Sequence, residues 1–127
     1  MNWIYVAAGG ALGAVARYGT CLLLTARGAA FPLATFAVNM AGCLLMGIVA
    51  EAFTQKTALP PEAKLLLATG FLGAFTTFST FSLENIILLQ REAYLRLALY
   101  AAGSVGIGIM ATAAGMYLVR VLRGENL

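Results

Sequence analysis

Residues 73–82 read GAFTTFSTFS, with five hydroxyl side chains and three phenylalanines inside a segment greasy enough to cross a membrane. Phe78 and Phe81 are three apart and share a helical face; Thr76, Ser79 and Ser82 share a second, and Thr77 and Thr80 a third. A phenyl ring is negative over its face and positive at its edge, so ring edges attract an anion without the full charge that would trap it. Taken alone, the phenylalanine pair equally fits simple packing. Gly70 and Gly73 loosen the helix, and the Thr76-Thr77 pair offers oxygens that compete with the backbone ladder. A helix broken at mid-membrane is tolerated only where it is buried in protein or lines a cavity. The carbonyls such a break frees are groups that can hold Na+.

Other polar residues stand where lipid would reject them. Arg17 interrupts the first apolar run: it either snorkels to the headgroups or places a fixed positive charge in a vestibule or at a subunit interface, where it attracts an anion. Asn39, in FAVNMAGC, either bonds to another helix or offers its amide donors to an anion. Glu84 closes the hydroxyl-rich segment. Tyr100 and Ser104 are four apart on one face of the last apolar run, and Glu84, Tyr100 and Ser104 would extend a polar track toward one vestibule.

The elements that position these groups follow from composition. Of 127 residues, 61% are hydrophobic and 10% charged, against about 25% charged in a soluble domain; mean hydropathy is +0.89. So small a chain cannot bury that much apolar surface in a core of its own. Residues 28–50, 65–83 and 97–119 carry no charge, and each approaches or exceeds the roughly 20 residues that span about 30 Å of hydrocarbon. The run from Asn2 to about residue 26 qualifies apart from Arg17. The expectation is an all-α integral membrane protein, residues 1–127 forming one transmembrane domain, with helices at about 2–25, 32–53, 63–89 and 94–121 and a break in the third. Pro60 and Pro61 are placed to start the third helix. MNWIYVAAGG lacks the basic n-region of a signal peptide, and the runs do not alternate as barrel strands must.

Charge gives almost no orientation. One side receives Lys56, Lys64, Arg120 and Arg123; the other receives Arg27, Arg91 and Arg96, with Arg17 leaning toward it. Since excess Lys and Arg normally marks the cytoplasmic side, this near balance points to insertion both ways and an antiparallel homodimer, the alternative being a weakly biased single topology. GGALGA (9–14) and GSVGIG (103–108) would allow close helix approach. With no His, no paired-carboxylate site and no P-loop, no catalytic arrangement is present. Cys21 and Cys43 form neither a disulfide framework nor a zinc site. The +3 net charge is spread over both faces, which excludes a nucleic-acid patch.

GGALGAVARY (9–18), FPLATFAVNMAGC (31–43) and above all GFLGAFTTFSTFSLE (70–84) resemble the motifs of the small fluoride-channel family called CrcB or Fluc, over nearly the whole chain. Ala74-Phe75 is a small departure that leaves the key positions intact. The resemblance implies a passive fluoride-selective channel in the cell inner membrane or plasma membrane, exporting fluoride from the cytoplasm. It further implies an antiparallel dual-topology homodimer with two pores and one central structural Na+. By motif, Phe78 and Phe81 would be the pore phenylalanines, Asn39 the pore asparagine and Arg17 the arginine near a vestibule. Gly73 and Thr76 would present carbonyls to Na+, and Ser79, Thr80, Glu84, Tyr100 and Ser104 would fall on or near the polar track. The rivals are a small four-helix multidrug exporter, which wants a membrane-embedded carboxylate where the first helix has Arg17, and a non-transporting scaffold.

Overall fold

A computed structural model describes residues 1–25, 32–54 and 60–124; Arg27, Lys56 and the first interhelical connection lie outside the described residues. Four spans are long and apolar enough to cross a membrane: Asn2–Thr25 (α1), Leu33–Ala52 (α2), Pro61–Gln90 (α3) and Tyr94–Leu122 (α4). No strand occurs among the described residues. Most of the large apolar side chains point outward, Trp3, Leu23, Leu95 and Ile109 among them, while Val38, Leu72 and Tyr100 are fully buried.

α3 changes character along its length. Pro61 opens it at the position where a missing N–H costs nothing. Leu65–Leu72 is wound as a wider π-helix, and one further α turn, Gly73–Phe75, follows. Thr76 (φ −84°, ψ 158°) and Thr77 (φ −149°, ψ 119°) are then extended before helix resumes over Phe78–Gln90. The restart is capped, because Thr77 Oγ1 accepts from the Thr80 amide at 3.3 Å, as a helix-opening threonine should. At the far end Glu92 adopts φ 55°, and the amides of Glu92 and Ala93 turn back onto the carbonyls of Leu89 and Leu88. That tight turn sets α4 running back alongside the second half of α3.

Packing sorts the spans into two close pairs. α1 lies against the first half of α3: a Cβ on Gly9 would strike the Leu66 carbonyl, one on Gly13 the Phe71 carbonyl, and one on Gly70 the Val6 carbonyl. α2 lies against α4 in the same manner, with Gly47 on the Thr112 carbonyl and Gly115 on the Leu44 carbonyl. Small residues let the backbones meet, which is how membrane helices gain packing energy when lipid is as apolar as Leu. Of the glycine clusters singled out by sequence, the first makes this contact, whereas Gly103 and Gly106 have nothing within 4 Å. Gly13→Ala and Gly115→Ala are therefore expected to destabilise the fold by about 1–3 kcal/mol, the usual cost of overpacking. Gly103→Ala should leave the single-chain fold intact. Yield and melting temperature in detergent check this, and equal losses in all three would contradict it.

The α2–α4 pair is closed at one end by an ionic clasp. Glu51, only 3% exposed, receives Arg120 at both carboxylate oxygens, Nε to Oε1 at 3.0 Å and a terminal nitrogen to Oε2 at 3.1 Å. Arg123 donates to the carbonyls of Glu51 and Ala52, each at 3.2 Å, adding to the bonds that Thr54 already gives the Glu51 carbonyl at the end of α2.

Candidate functional site

Where α2, the middle of α3 and α4 meet, an open cavity of about 320 Å³ is lined by Asn39, Met40, Gly42, Cys43 and Met46, by Thr76, Thr77, Phe78 and Phe81, and by Ser104, Val105 and Thr112. None of these side chains is charged.

Asn39 is the pivot. Its Oδ1 accepts from the Thr77 amide at 2.8 Å, and its Nδ2 donates to the Thr77 carbonyl at 3.0 Å. One side chain thus satisfies both backbone groups of an extended residue, and one N–H of its amide is left over. The capture has a consequence for α3. In a continuous helix the amide of residue i returns to the carbonyl of residue i−4, so Thr77 would serve Gly73 and Thr80 would serve Thr76. Here the Thr77 amide goes to Asn39 and the Thr80 amide to Thr77 Oγ1. The break therefore frees the last carbonyls of the first half of α3, those of Gly73 and Thr76 among them.

Phe78 is 79% exposed, its ring centroid 5.7 Å from that of Phe81 and tilted by 38°. Phe81 lies 5.0 Å from the ring of Tyr100 at 57°, so three aromatic rings form a continuous tilted series. Phe75 behaves differently: it is 8% exposed, stacks on Phe71 at 5.7 Å, and takes no part in the cavity. The two extended residues between Phe75 and Phe78 remove it from their stripe.

Glu84 sits behind the rings. Its Oε1 accepts from Thr35 Oγ1 at 2.8 Å and its Oε2 from the Tyr100 hydroxyl at 2.6 Å. Ser104 lines the cavity, and its buried Oγ bonds to no group among the described residues. Thr112 Oγ1 donates to the Gly108 carbonyl at 3.1 Å. Ser79 and Thr80 line no part of the cavity; their hydroxyls approach Thr77 Oγ1 at 3.3 and 3.0 Å. Gly73 is exposed and also lies off the cavity. Arg17 is half-buried on α1, apart from the cavity and with no hydrogen bond or ion pair to a described residue. The cavity thus joins Asn39, Thr76, Phe78, Phe81 and Ser104, with Tyr100 and Glu84 directly behind.

Sequence reasoning marked Thr77 for the break in α3 but not for the cavity, and missed Thr35 and Thr112. A signal for the latter two existed: Thr35 is four residues before Asn39, and Thr112 is eight after Ser104, so each continues a polar helical face already marked.

Four apolar helices, three of which turn an uncharged set of hydroxyls, an amide and phenyl rings toward one open cavity, define a small multi-pass membrane protein. The chain belongs to the CrcB family: residues 4–116 match the family profile described as "CrcB-like protein, Camphor Resistance (CrcB)". It is 42% identical over 120 residues to the "Fluoride-specific ion channel FluC" of Methylobacterium sp. (strain 4-46), covering 94% of this chain and 97% of that one. The protein of the same name from Rhizobium etli is 46% identical over 120 residues, covering 94% and 96%. That of Chlorobaculum tepidum is 44% identical over 120 residues, covering 94% and 95%.

Proposed function

We propose that this protein is a passive, fluoride-specific ion channel that lets the anion leave the cytoplasm and so lowers its toxicity. It is a conduit and not an enzyme. The observation that carries the reading is the cavity lining: neutral donors and tilted phenyl rings with no fixed charge. Fluoride is strongly hydrated, so a pathway must replace its water with donors and positive ring edges, yet hold it weakly enough for release. Phe78, Phe81, the spare N–H of Asn39 and the idle hydroxyl of Ser104 supply that combination. Tyr100, Glu84, Ser79 and Thr80 lie along or beside the route, and Arg17 draws anions toward one mouth.

Fluoride efflux from liposomes containing the purified protein, followed with a fluoride electrode, tests the proposal. Efflux above that of empty vesicles is expected. Proton-coupled drug exchange without fluoride efflux would instead indicate an exporter, and no flux of either kind a scaffold. An exporter needs a carboxylate free to exchange protons, and both Glu84 oxygens are already held by hydroxyls.

The working unit of the proposal is an antiparallel dual-topology homodimer in the cell membrane, with Na+ at its centre. The donor set fits such an ion: the Gly73 and Thr76 carbonyls lack their helical donors, and a hard cation takes oxygen ligands. Two from each of two chains would make a four-oxygen site tying the break in α3 to its symmetry mate. When bound, the ion would supply a fixed positive charge that keeps four like carbonyl dipoles together. Because a ligand stabilises the state that binds it by mass action, melting temperature should climb with Na+ at constant ionic strength. An equal climb with a bulky organic cation would show that no specific site exists.

A further inference from the structure

One group of side chains in the cavity has no part in fluoride passage. Met40, Cys43 and Met46 occupy successive three-residue steps of α2 and all line the cavity. Cys43 and Met40 face Gly108 of α4: a Cβ placed there would meet Cys43 Sγ at 3.4 Å and the Met40 methyl carbon at 3.5 Å. Cys43 Sγ and the end of the Met40 side chain thus lie close to one another beside α4. All three residues are partly exposed, and Cys43 is a free thiol.

We propose that Cys43, flanked by Met40 and Met46, forms a binding site for a soft monovalent metal ion, Ag+ or Cu+, and that its occupation blocks the cavity. Thiolate and thioether sulfur select such ions over hard ones. The charge of the ion matters as much as its softness. In the step Cys43–SH + M+ → Cys43–S–M + H+, one S–H bond breaks, one S–M bond forms, and the proton leaves to water. The adduct is neutral, so an uncharged cavity gains no buried charge, whereas a divalent ion would leave one uncompensated. The two thioethers, themselves neutral, complete a coordination shell of up to three sulfurs. A metal held there stands among Phe78, Phe81 and Ser104, in the route proposed for the anion.

The block rests on the channel reading, whereas binding does not, so both are measured. Protein in detergent, in chloride-free nitrate buffer, is incubated with silver nitrate, desalted and assayed for retained silver; proteoliposomes of the same preparation are assayed for fluoride efflux with and without silver. Expected are one tightly retained silver per chain lost in Cys43→Ser but kept in Cys21→Ser, and wild-type efflux falling to the empty-vesicle level. Efflux from Cys43→Ser should be indifferent to silver. Met40→Leu and Met46→Leu should each raise the half-blocking silver concentration about tenfold, a change of about 1.4 kcal/mol, while Cys43 still reacts normally with a maleimide. Silver retention unaffected by Cys43→Ser overturns the site. Half-blocking concentrations unchanged in both methionine variants reduce it to a lone reactive thiol, and overturn the three-sulfur assignment. Wild-type protein that conducts fluoride yet is not blocked by retained silver overturns the block while leaving the channel reading intact. Protein that never conducts overturns the channel reading, and retention still decides the site.

Discussion

Phe78→Ile and Phe81→Ile channels are expected to assemble normally and to lose fluoride efflux, whereas Phe75→Ile is expected to conduct. Isoleucine keeps apolar bulk but has no positive ring edge. Well-placed ring contacts are worth about 0.5–1.5 kcal/mol each beyond their area, and more in a pathway stripped of water, so flux in either variant should fall at least about tenfold. The geometry separates the three positions sharply. Phe78 and Phe81 form the tilted pair on the cavity, and Phe81 also leans on Tyr100. Phe75 is stacked on Phe71 within the fold, so its replacement should cost stability, typically under about 1.5 kcal/mol for a swap of similar volume, with flux per folded channel unchanged. The assay is efflux normalised to folded protein. Three variants conducting alike would leave the rings with a packing role only.

The second large effect belongs to Asn39. Asn39→Asp preserves shape and the acceptor for the Thr77 amide, but sets a carboxylate oxygen against the Thr77 carbonyl that now receives a hydrogen bond. A buried group stripped of its partner costs about 1–3 kcal/mol, and the added negative charge would repel an anion in the same cavity. Flux should therefore vanish and the melting temperature fall. Asn39→Ala tests the structural half alone. Releasing the Thr77 amide lets it return to the Gly73 carbonyl, so the dependence of melting temperature on Na+ should weaken along with stability. Asn39→Ala protein that melts as wild type does, with the same Na+ response, would show that the pairing with Thr77 organises nothing.

The four membrane-capable helices were legible because Lys, Arg, Asp and Glu are too costly to bury in hydrocarbon and therefore punctuate the chain. The family was legible from residues 70–84, where hydroxyls, rings and glycines fall in an order that packing alone does not require. What could not be read was the division of labour among like residues. Five hydroxyls in ten residues look interchangeable in one dimension. Only the approach of Asn39 from another helix distinguishes Thr77, and the cap that Thr77 then forms engages Thr80. The glycines tell the same story. Gly47 and Gly115 meet foreign backbone while Gly103 and Gly106 do not, and nothing local sets the two kinds apart. Met40 and Cys43 read as ordinary apolar residues until the fold sets them together on the cavity beside Gly108.

The pairing of α2 with α4 also bears on how the protein is made. Glu51 leaves the ribosome 69 residues before Arg120, a delay of roughly 3–14 s at 5–20 residues per second. During that interval α2 is already synthesised, with Glu51 lacking its counterion and Gly47 facing no helix. The clasp that joins α2 to α4 closes only after Arg120 and Arg123 have been made.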